Sequence, residues 1–534
     1  MNVRAIFWTL SLIVLATIVG LALRWPDAWW AMSVAAPLFC LGIYDQVQSK
    51  HAILRNYPLI GHGRYLMEAI RPEINQYFIE SETSGRPFNR EYRSVMYQRA
   101  KDVRDTVPFG TILDVYEPGY EWIEHSLRAK HFHGEAPRIR IGGPKCTQPY
   151  DASLYNISAM SYGSLSHAAV SALNRGAKMG GFAHNTGEGG LSPYHLHGAD
   201  VIFQVGTGYF GARVKDGPNS GHFCPETFAQ NATRPEVKMI EIKLSQGAKP
   251  GHGGILPGAK VNQEIANIRN VEVGKTVESP PTHSAFSTPL EMLDFIDRLR
   301  ELSGGKPVGF KLCVGSRREF LCICKAMLES GKRPDFIVVD GGEGGTGAAP
   351  VEFSNRMGAP LLDGLAFVHS ALVGTGLRSD IRLIAAGKIM TGFHMARALA
   401  VGADLCYSAR GMMFALGCIQ ARACNANTCP VGVTTHRPHL VAGLVVADKA
   451  TRVANYHRNS VKAFMELLYS AGLEHPDDLR PEHINRRISR TEVRHYGQLF
   501  HYLEPNELLE NPPSDFAEIW ERARPDSYDL PPAA

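Results

Sequence analysis

The chain has 534 residues, enough for one large catalytic domain with appendages. Its formal charge is +4, so nothing in the composition suggests a nucleic-acid binder. Ten cysteines, several in apolar core-like sequence, argue for a reducing compartment with one metal site rather than a disulfide framework.

Two apolar runs open the chain. Ala5 to Leu23 is almost uncharged and ends at Arg24; Ala28 to Tyr44 follows, broken only by Pro37. A bilayer-crossing helix needs about 20 apolar residues, with a lower limit near 17. Trp25, Trp29 and Trp30 cluster at the short connection, where an aromatic belt sits. The two runs read as a transmembrane helical hairpin over 1–45. Lys50, His51, Arg55, Arg64 and Arg71 follow it, and the positive-inside rule then places the catalytic part in the cytoplasm. A cleaved signal peptide and a buried hairpin are the rival readings, although no small-x-small cleavage site follows Leu23.

Residues 46–150 read as a connecting region without a catalytic motif. Amphipathic helical stretches are expected around Glu68 to Glu80 and Arg90 to Lys101, and an extended entry around Arg138 to Pro144.

From 151 the pattern changes. Short apolar runs alternate with helical stretches at Tyr155–Ala159, Gly181–His184, Val201–Val205, Met239–Lys243, Val308–Cys313, Asp335–Val339, Arg382–Ala386 and Asp404–Ser408. Strands separated by helices imply a parallel sheet, and eight such units imply an α/β fold of the (β/α)8 TIM-barrel type. Chemistry then belongs just after each strand, at one mouth of the barrel. Six glycine-bearing loops lie there. They contain Met160, Ser161 and Gly163; Asn185, Thr186 and Glu188; Lys243, Gln246 and Lys249; Gly342, Gly344, Gly345, Thr346 and Gly347; Gly387 and Lys388; and Arg410 and Gly411. Glycine lets backbone amides approach a ligand, and the last three loops suit a phosphate cradle.

Cys418, Cys424 and Cys429 follow in a C-x5-C-x4-C run closed by Pro430. Thiolates packed this densely hold a soft metal centre, and three without a local fourth suit a three-iron cluster. The alternative is three buried or disulfide-bonded cysteines.

This run resembles the cluster loop of the glutamate synthase large subunit, with Asn425 where that family commonly has His. Asn-Thr-Gly-Glu-Gly-Gly from 185, Gln-Gly-Ala-Lys-Pro-Gly from 246 and Gly-Gly-Thr-Gly-Ala from 344 occur in the family's order, so the resemblance covers about 150 to 435. It implies an FMN-binding barrel (151–435) beside a [3Fe-4S] cluster on Cys418, Cys424 and Cys429. A helical region and extended tail (436–534) follow. On this reading Met160, Ser161 and Gly163 line the flavin ring, and Lys311 stabilises negative charge on the reduced flavin. Lys243 and Lys249 bind a dicarboxylate. Glu188 and Gln246 orient flavin hydroxyls or an imine, or simply brace their loops. Arg317 and Arg318 are expected to cap a helix.

Two departures fall where the family's 2-oxoglutarate site lies: His252 replaces an acidic residue, and Cys313 to Arg318 diverges. These 534 residues also lack the family's glutamine-cleaving cysteine domain and its glycine-repeat β-helix, and no convincing dinucleotide fingerprint is present. The expected activity is reductive amination of 2-oxoglutarate through 2-iminoglutarate. Electrons would come from a ferredoxin, a separate NAD(P)H oxidoreductase or a membrane donor. The alternatives are another oxo acid, an N-alkylglutamate or a quinone as the species acted on, and a non-catalytic membrane assembly factor.

Overall fold

The structure is a computed structural model that describes residues 2–103, 106–214 and 220–530. The chain forms two compact units, Met1–Arg90 and Glu91–Ala534.

In the first unit, helix Val3–Ala22 runs for 20 residues and a 3-10 turn, Pro26–Ala31, leads into helix Met32–Val47. Phe7 stacks on Phe39 with centroids 6.0 Å apart, and Trp8 meets the same ring edge-on. Gly42 makes this close approach possible, since a Cβ there would lie 2.2 Å from the Phe7 ring. Among the described residues only Val3–Ala22 is long and apolar enough to cross a membrane. Met32–Val47 has 16 residues, with Pro37 inside it and a fully buried Asp45 near its end. The expected two-helix hairpin is therefore corrected to one helix that is long and apolar enough to span. Helix Gly61–Ile74 and a π turn, Asn75–Ile79, complete this unit.

The second unit is built on a closed, all-parallel eight-stranded barrel of the TIM type. Its strands, in chain order, are β1 (Tyr155–Ile157), β2 (His184–Asn185), β3 (Val201–Val205), β4 (Val237–Lys243), β5 (Val308–Leu312), β6 (Phe336–Asp340), β7 (Arg382–Ala386) and β8 (Leu405–Ser408). Each pairs with the next, and β8 closes on β1. Ile240, Ile242, Val338, Leu383 and Leu405 are fully buried, as expected of strands covered by helices on one face and filled on the other. Each such side chain contributes about 1.5–3 kcal/mol.

All eight expected strands form. The second is displaced because Gly181 adopts a left-handed conformation (φ 65°) that ends helix His167–Gly180, so the strand cannot begin there. Arg138 to Pro144 contributes strand Ile139–Ile141, which pairs with Tyr150–Ala152. Residues Ala447 to Arg487 show helical periodicity in sequence, but only Val446–Ser470 is a long helix; Ile484–Arg487 pairs with Glu121–Ile123 and Val493–His495 in a small sheet. The tail is not simply extended either. Helices Glu507–Glu510 and Ser514–Glu521 form, and Phe516 stacks on Phe367 at 5.7 Å.

Candidate active site at the barrel mouth

Parallel strands bring every strand end to the same mouth. Lys243 closes β4, Asp340 closes β6, and Lys311 lies one residue from the end of β5. Lys311 is in register with Lys243 across β4 and β5. Lys311 Nζ lies 3.2 Å from Asp340 Oδ2, and both side chains are buried. Burial opposes the Lys311 charge, but Asp340, Glu241 and Glu188 outweigh it, and its pKa is raised. Beneath this pair, Gln204 donates to Glu241 Oε1 at 2.5 Å inside the barrel. Burial raises the Glu241 pKa even though Lys311 acts against it.

A second pair stands beside the first. Lys243 Nζ donates to Glu188 Oε1 at 2.7 Å. Burial works against the Glu188 charge, yet Lys243, Lys249 and Arg269 together hold its pKa below the usual range. Lys249 Nζ donates to the Ala348 carbonyl at 3.0 Å, and burial with the neighbouring Lys243 charge brings its pKa down to about 8. Arg269 is buried under the loop after β1. Its guanidinium donates to Ser161 Oγ (3.1 Å) and the Tyr162 carbonyl (2.8 Å) and lies over the Phe210 ring. Burial lowers its pKa to about 10. His283 steadies the end of β4, with ring nitrogens 2.9 Å from the Lys243 carbonyl and 3.0 Å from the Tyr209 hydroxyl.

The glycine loops pack against one another at distances that only glycine permits. A Cβ on Gly187 would come 2.6 Å from Ser161 N, and one on Gly247 would come 1.7 Å from the Gly341 carbonyl oxygen. Gly345 lies against Arg410, and Arg410 donates to the Glu343 carbonyl at 2.7 Å. Gly387 sits against Gly341, and Lys388 takes a left-handed conformation (φ 50°). The loops after β6, β7 and β8 thus share one surface. Gly411 is the second residue of the short helix Arg410–Ala415 and lies under the Tyr456 hydroxyl.

The remaining expected site residues are in or beside the barrel wall. Met160 is buried, and Gly163 accepts at its carbonyl from His436. Asn185 Oδ1 accepts from Gly187 N, and Thr186 Oγ1 accepts from Gln204 N, so both brace the loop after β2. The amides of Gly342 and Gly344 donate to the Ala359 and Gly341 carbonyls, which engages them within the protein. Thr346 Oγ1 donates to the Ala348 carbonyl, and Gly347 lies 4.0 Å from Cys424 Cβ by its virtual Cβ. Gln246 is half-buried, and its carbonyl accepts from Lys249 N. The helix after β5 is capped by Ser316, not by the arginines. Arg318 reaches the Tyr528 and Asp529 carbonyls of the tail, and Arg317 lies over Phe367.

Sequence reasoning missed Asp340, Glu241, Arg269 and His283. Asp340 carried a signal, a lone carboxylate closing an apolar strand. Arg269 carried none, because it ends the helix Gln263–Arg269 in a stretch without a motif.

All ten cysteines are free, so the disulfide alternative for the cysteine loop falls. Burial and the nearby Cys424 and Cys429 push the Cys418 thiol up to about 12, and Lys260 feels the Cys424 and Cys429 charges. The three thiols therefore lie near one another. Among the described residues, however, no three His, Cys, Asp or Glu side chains are gathered closely enough to hold a metal ion. The residues as arranged do not by themselves form a cluster site.

Residues 145–474 match the conserved region in glutamate synthase. The glutamate synthase large subunit-like protein YerD of Bacillus subtilis is 40% identical over 501 residues, 86% of this chain and 94% of that protein. An archaeal glutamate synthase [NADPH] of Methanocaldococcus jannaschii is 35% identical over 61% of this chain and 60% of its own length. The Bacillus subtilis glutamate synthase [NADPH] large chain is 31% identical over 64% of this chain, and the match spans 21% of that enzyme. Among solved structures, a mandelate oxidase complex with (S)-4-hydroxymandelic acid aligns at 13% identity and TM-score 0.42, over 76% of this chain and 98% of that one. With the conserved region spanning well over half of its length, this chain belongs to the glutamate synthase family.

Proposed function

We propose that this chain is an FMN-dependent oxidoreductase that reduces the imine of 2-oxoglutarate to glutamate, with electrons from an external donor. The observation that carries the reading is the group of buried cations at the mouth. Lys243, Lys249 and Arg269 all act on the Glu188 carboxylate, and Lys311 acts on it from the neighbouring strand. A dicarboxylate leaving water needs at least two charge-assisted partners to offset its desolvation, and Lys249 and Arg269 are buried cations whose pKa burial lowers.

FMN suits the rest of the mouth. The loops after β6 and β7 meet through Gly341 and Gly387, and Arg410 after β8 lies against Gly345, which supports a phosphate there. Burial lowers the Arg410 pKa to about 10, and a phosphate dianion is the partner such a guanidinium favours. Flavin bound in this mouth supplies hydride chemistry. Lys311 provides a fixed cation near the end of β5 that favours negative charge beside it. Asp340 holds that cation in place, Glu188 orients Lys243, and Lys243 and Lys249 bind the substrate carboxylates.

The cysteine loop is the proposed seat of an iron–sulfur cluster and of electron entry from a ferredoxin or a separate NAD(P)H oxidoreductase. The C-x5-C-x4-C spacing and the mutual effect of the thiols support this, and no catalytic step here depends on it. Helix Val3–Ala22 is the proposed membrane anchor, with the catalytic unit on the side of the cations that follow.

The test is anaerobic turnover of isotope-labelled 2-oxoglutarate with ammonium and a chemical reductant. Labelled glutamate is expected. Reduction of a quinone or another oxo acid without labelled glutamate overturns the substrate assignment.

A further inference from the structure

The segment after helix Met32–Val47 carries no catalytic motif, yet it is built in detail. Asp45, fully buried at the end of that helix, accepts from His62 Nε2 at 2.9 Å and from Leu59 N at 3.0 Å. Those contacts fix the start of helix Gly61–Ile74 to the end of Met32–Val47. Arg4, in the first turn of Val3–Ala22, donates to the Arg55 carbonyl and to Asn56 Oδ1. Helix Gly61–Ile74 therefore starts at the level where the anchor helix has its charged end.

The faces of this helix differ. At about 100° per residue, Leu66, Met67, Ile70 and Ile74 fall within about 100° of arc, with Glu73 at its edge, while Arg64, Glu68 and Asn75, which opens the π turn, lie opposite. The apolar side is not buried against protein: Leu66 is 57% exposed, Met67 54% and Phe78, in the following π turn, 84%. Arg64 pairs with Glu68 along the polar side. From 50 to 79 the cations are Lys50, Arg55, Arg64 and Arg71, against Glu68 and Glu73, which favours an anionic surface. An exposed apolar stripe backed by charge, tied to the end of a spanning helix, is the pattern of a helix lying in a membrane interface.

We propose that Gly61–Ile79 lies in the headgroup region of the bilayer, with Leu66, Met67, Ile70 and Phe78 directed at the acyl chains. This rests on the reading of Val3–Ala22 as an anchor and extends it. The occupant of the apolar face is lipid, so the segment acts as a second, peripheral attachment of the anchoring unit.

The experiment uses the full chain in phosphatidylethanolamine–phosphatidylglycerol vesicles. A benzoylphenylalanine photocrosslinker replaces Met67 or Phe78, and in control proteins Glu68 or Asn75. Crosslinks to lipid at Met67 and Phe78, about tenfold above the two controls, are expected for a half-immersed helix. Crosslinks from Met67 and Phe78 to protein, whether a second copy or another part of the chain, overturn the proposal. So does equal lipid labelling at all four positions. Extraction with alkaline carbonate separates the two readings. A chain that stays in the membrane while the crosslinks fail refutes the interfacial helix alone, and a chain that is extracted refutes the anchor and this proposal with it.

Discussion

Lys311 and Asp340 face each other across the adjacent strands β5 and β6, Nζ to Oδ2 at 3.2 Å, with both side chains shut away from solvent. A buried pair of this kind is weak evidence for stability, because desolvation offsets most of the attraction. Its position at the barrel mouth, above the buried Glu241, makes it a device for holding one positive charge in place.

Replacing that charge separates its two roles. Lys311→Met leaves Asp340 and Glu241 uncompensated, at a cost of about 3–5 kcal/mol in stability. Turnover with a chemical reductant is expected to fall by about 100-fold or more. Lys311→Arg keeps the charge and is expected to recover part of the stability and less of the rate. Chemical denaturation and initial rates read both.

Lys249 gives the site a pH dependence. Its pKa is near 8 in the folded chain against an ordinary 10.5. As pH rises through about 8 the side chain loses its proton, so KM for 2-oxoglutarate is expected to rise above that pH. Stability moves the other way. Between about 8 and 10.5 the unfolded chain binds more protons at this residue, so its contribution to stability increases with pH. Lys249→Gln is expected to raise KM at pH 7 and flatten its pH profile. KM measured from pH 6.5 to 9.5 checks both.

Gly254 tests the Glu188–Lys243 pair without substituting either residue. A Cβ at Gly254 would lie 2.5 Å from Glu188 Oε1, the mobile end of that side chain. Gly254→Ala is expected to fold, displace the carboxylate and reduce kcat/KM by about tenfold or more. Gly247→Ala differs in kind. Its Cβ would meet the Gly341 backbone oxygen, which cannot move cheaply, so loss of more than about 2 kcal/mol is expected. Thermal unfolding and kinetics of the two variants distinguish them.

The cysteine loop yields a separate outcome. Cys418→Ser, Cys424→Ser and Cys429→Ser are each expected to abolish bound iron while leaving flavin content unchanged. Metal analysis of anaerobically purified protein reads this. Full iron in any one of the variants removes that cysteine from the ligand set.

Much of the barrel was legible because its strands are short apolar runs between helical stretches, with glycine loops at one end. The site loops were legible for the same reason, since Glu188, Lys243 and Lys249 follow directly on strand ends. Arg269 and His283 were not, because they enter the mouth from the long excursion between β4 and β5, where only the folded path brings them near. Glu241 was hidden by alternation. It points into the barrel from the middle of β4, where a carboxylate is costly without Lys311 and Gln204 beside it. The first apolar run predicted its helix well, whereas the second helix starts four residues later than its run and ends three later, because hydropathy does not register the 3-10 turn Pro26–Ala31 that takes up the start of the run.

The central claim is that the mouth holds FMN. The most direct measurement is the visible spectrum and FMN content of the full chain, purified in detergent without air. Bound flavin at roughly one FMN per chain, lost or much weakened in Lys311→Met, is the predicted result for a cofactor held by this mouth. Well-folded protein without flavin, and without affinity for added FMN, would contradict it.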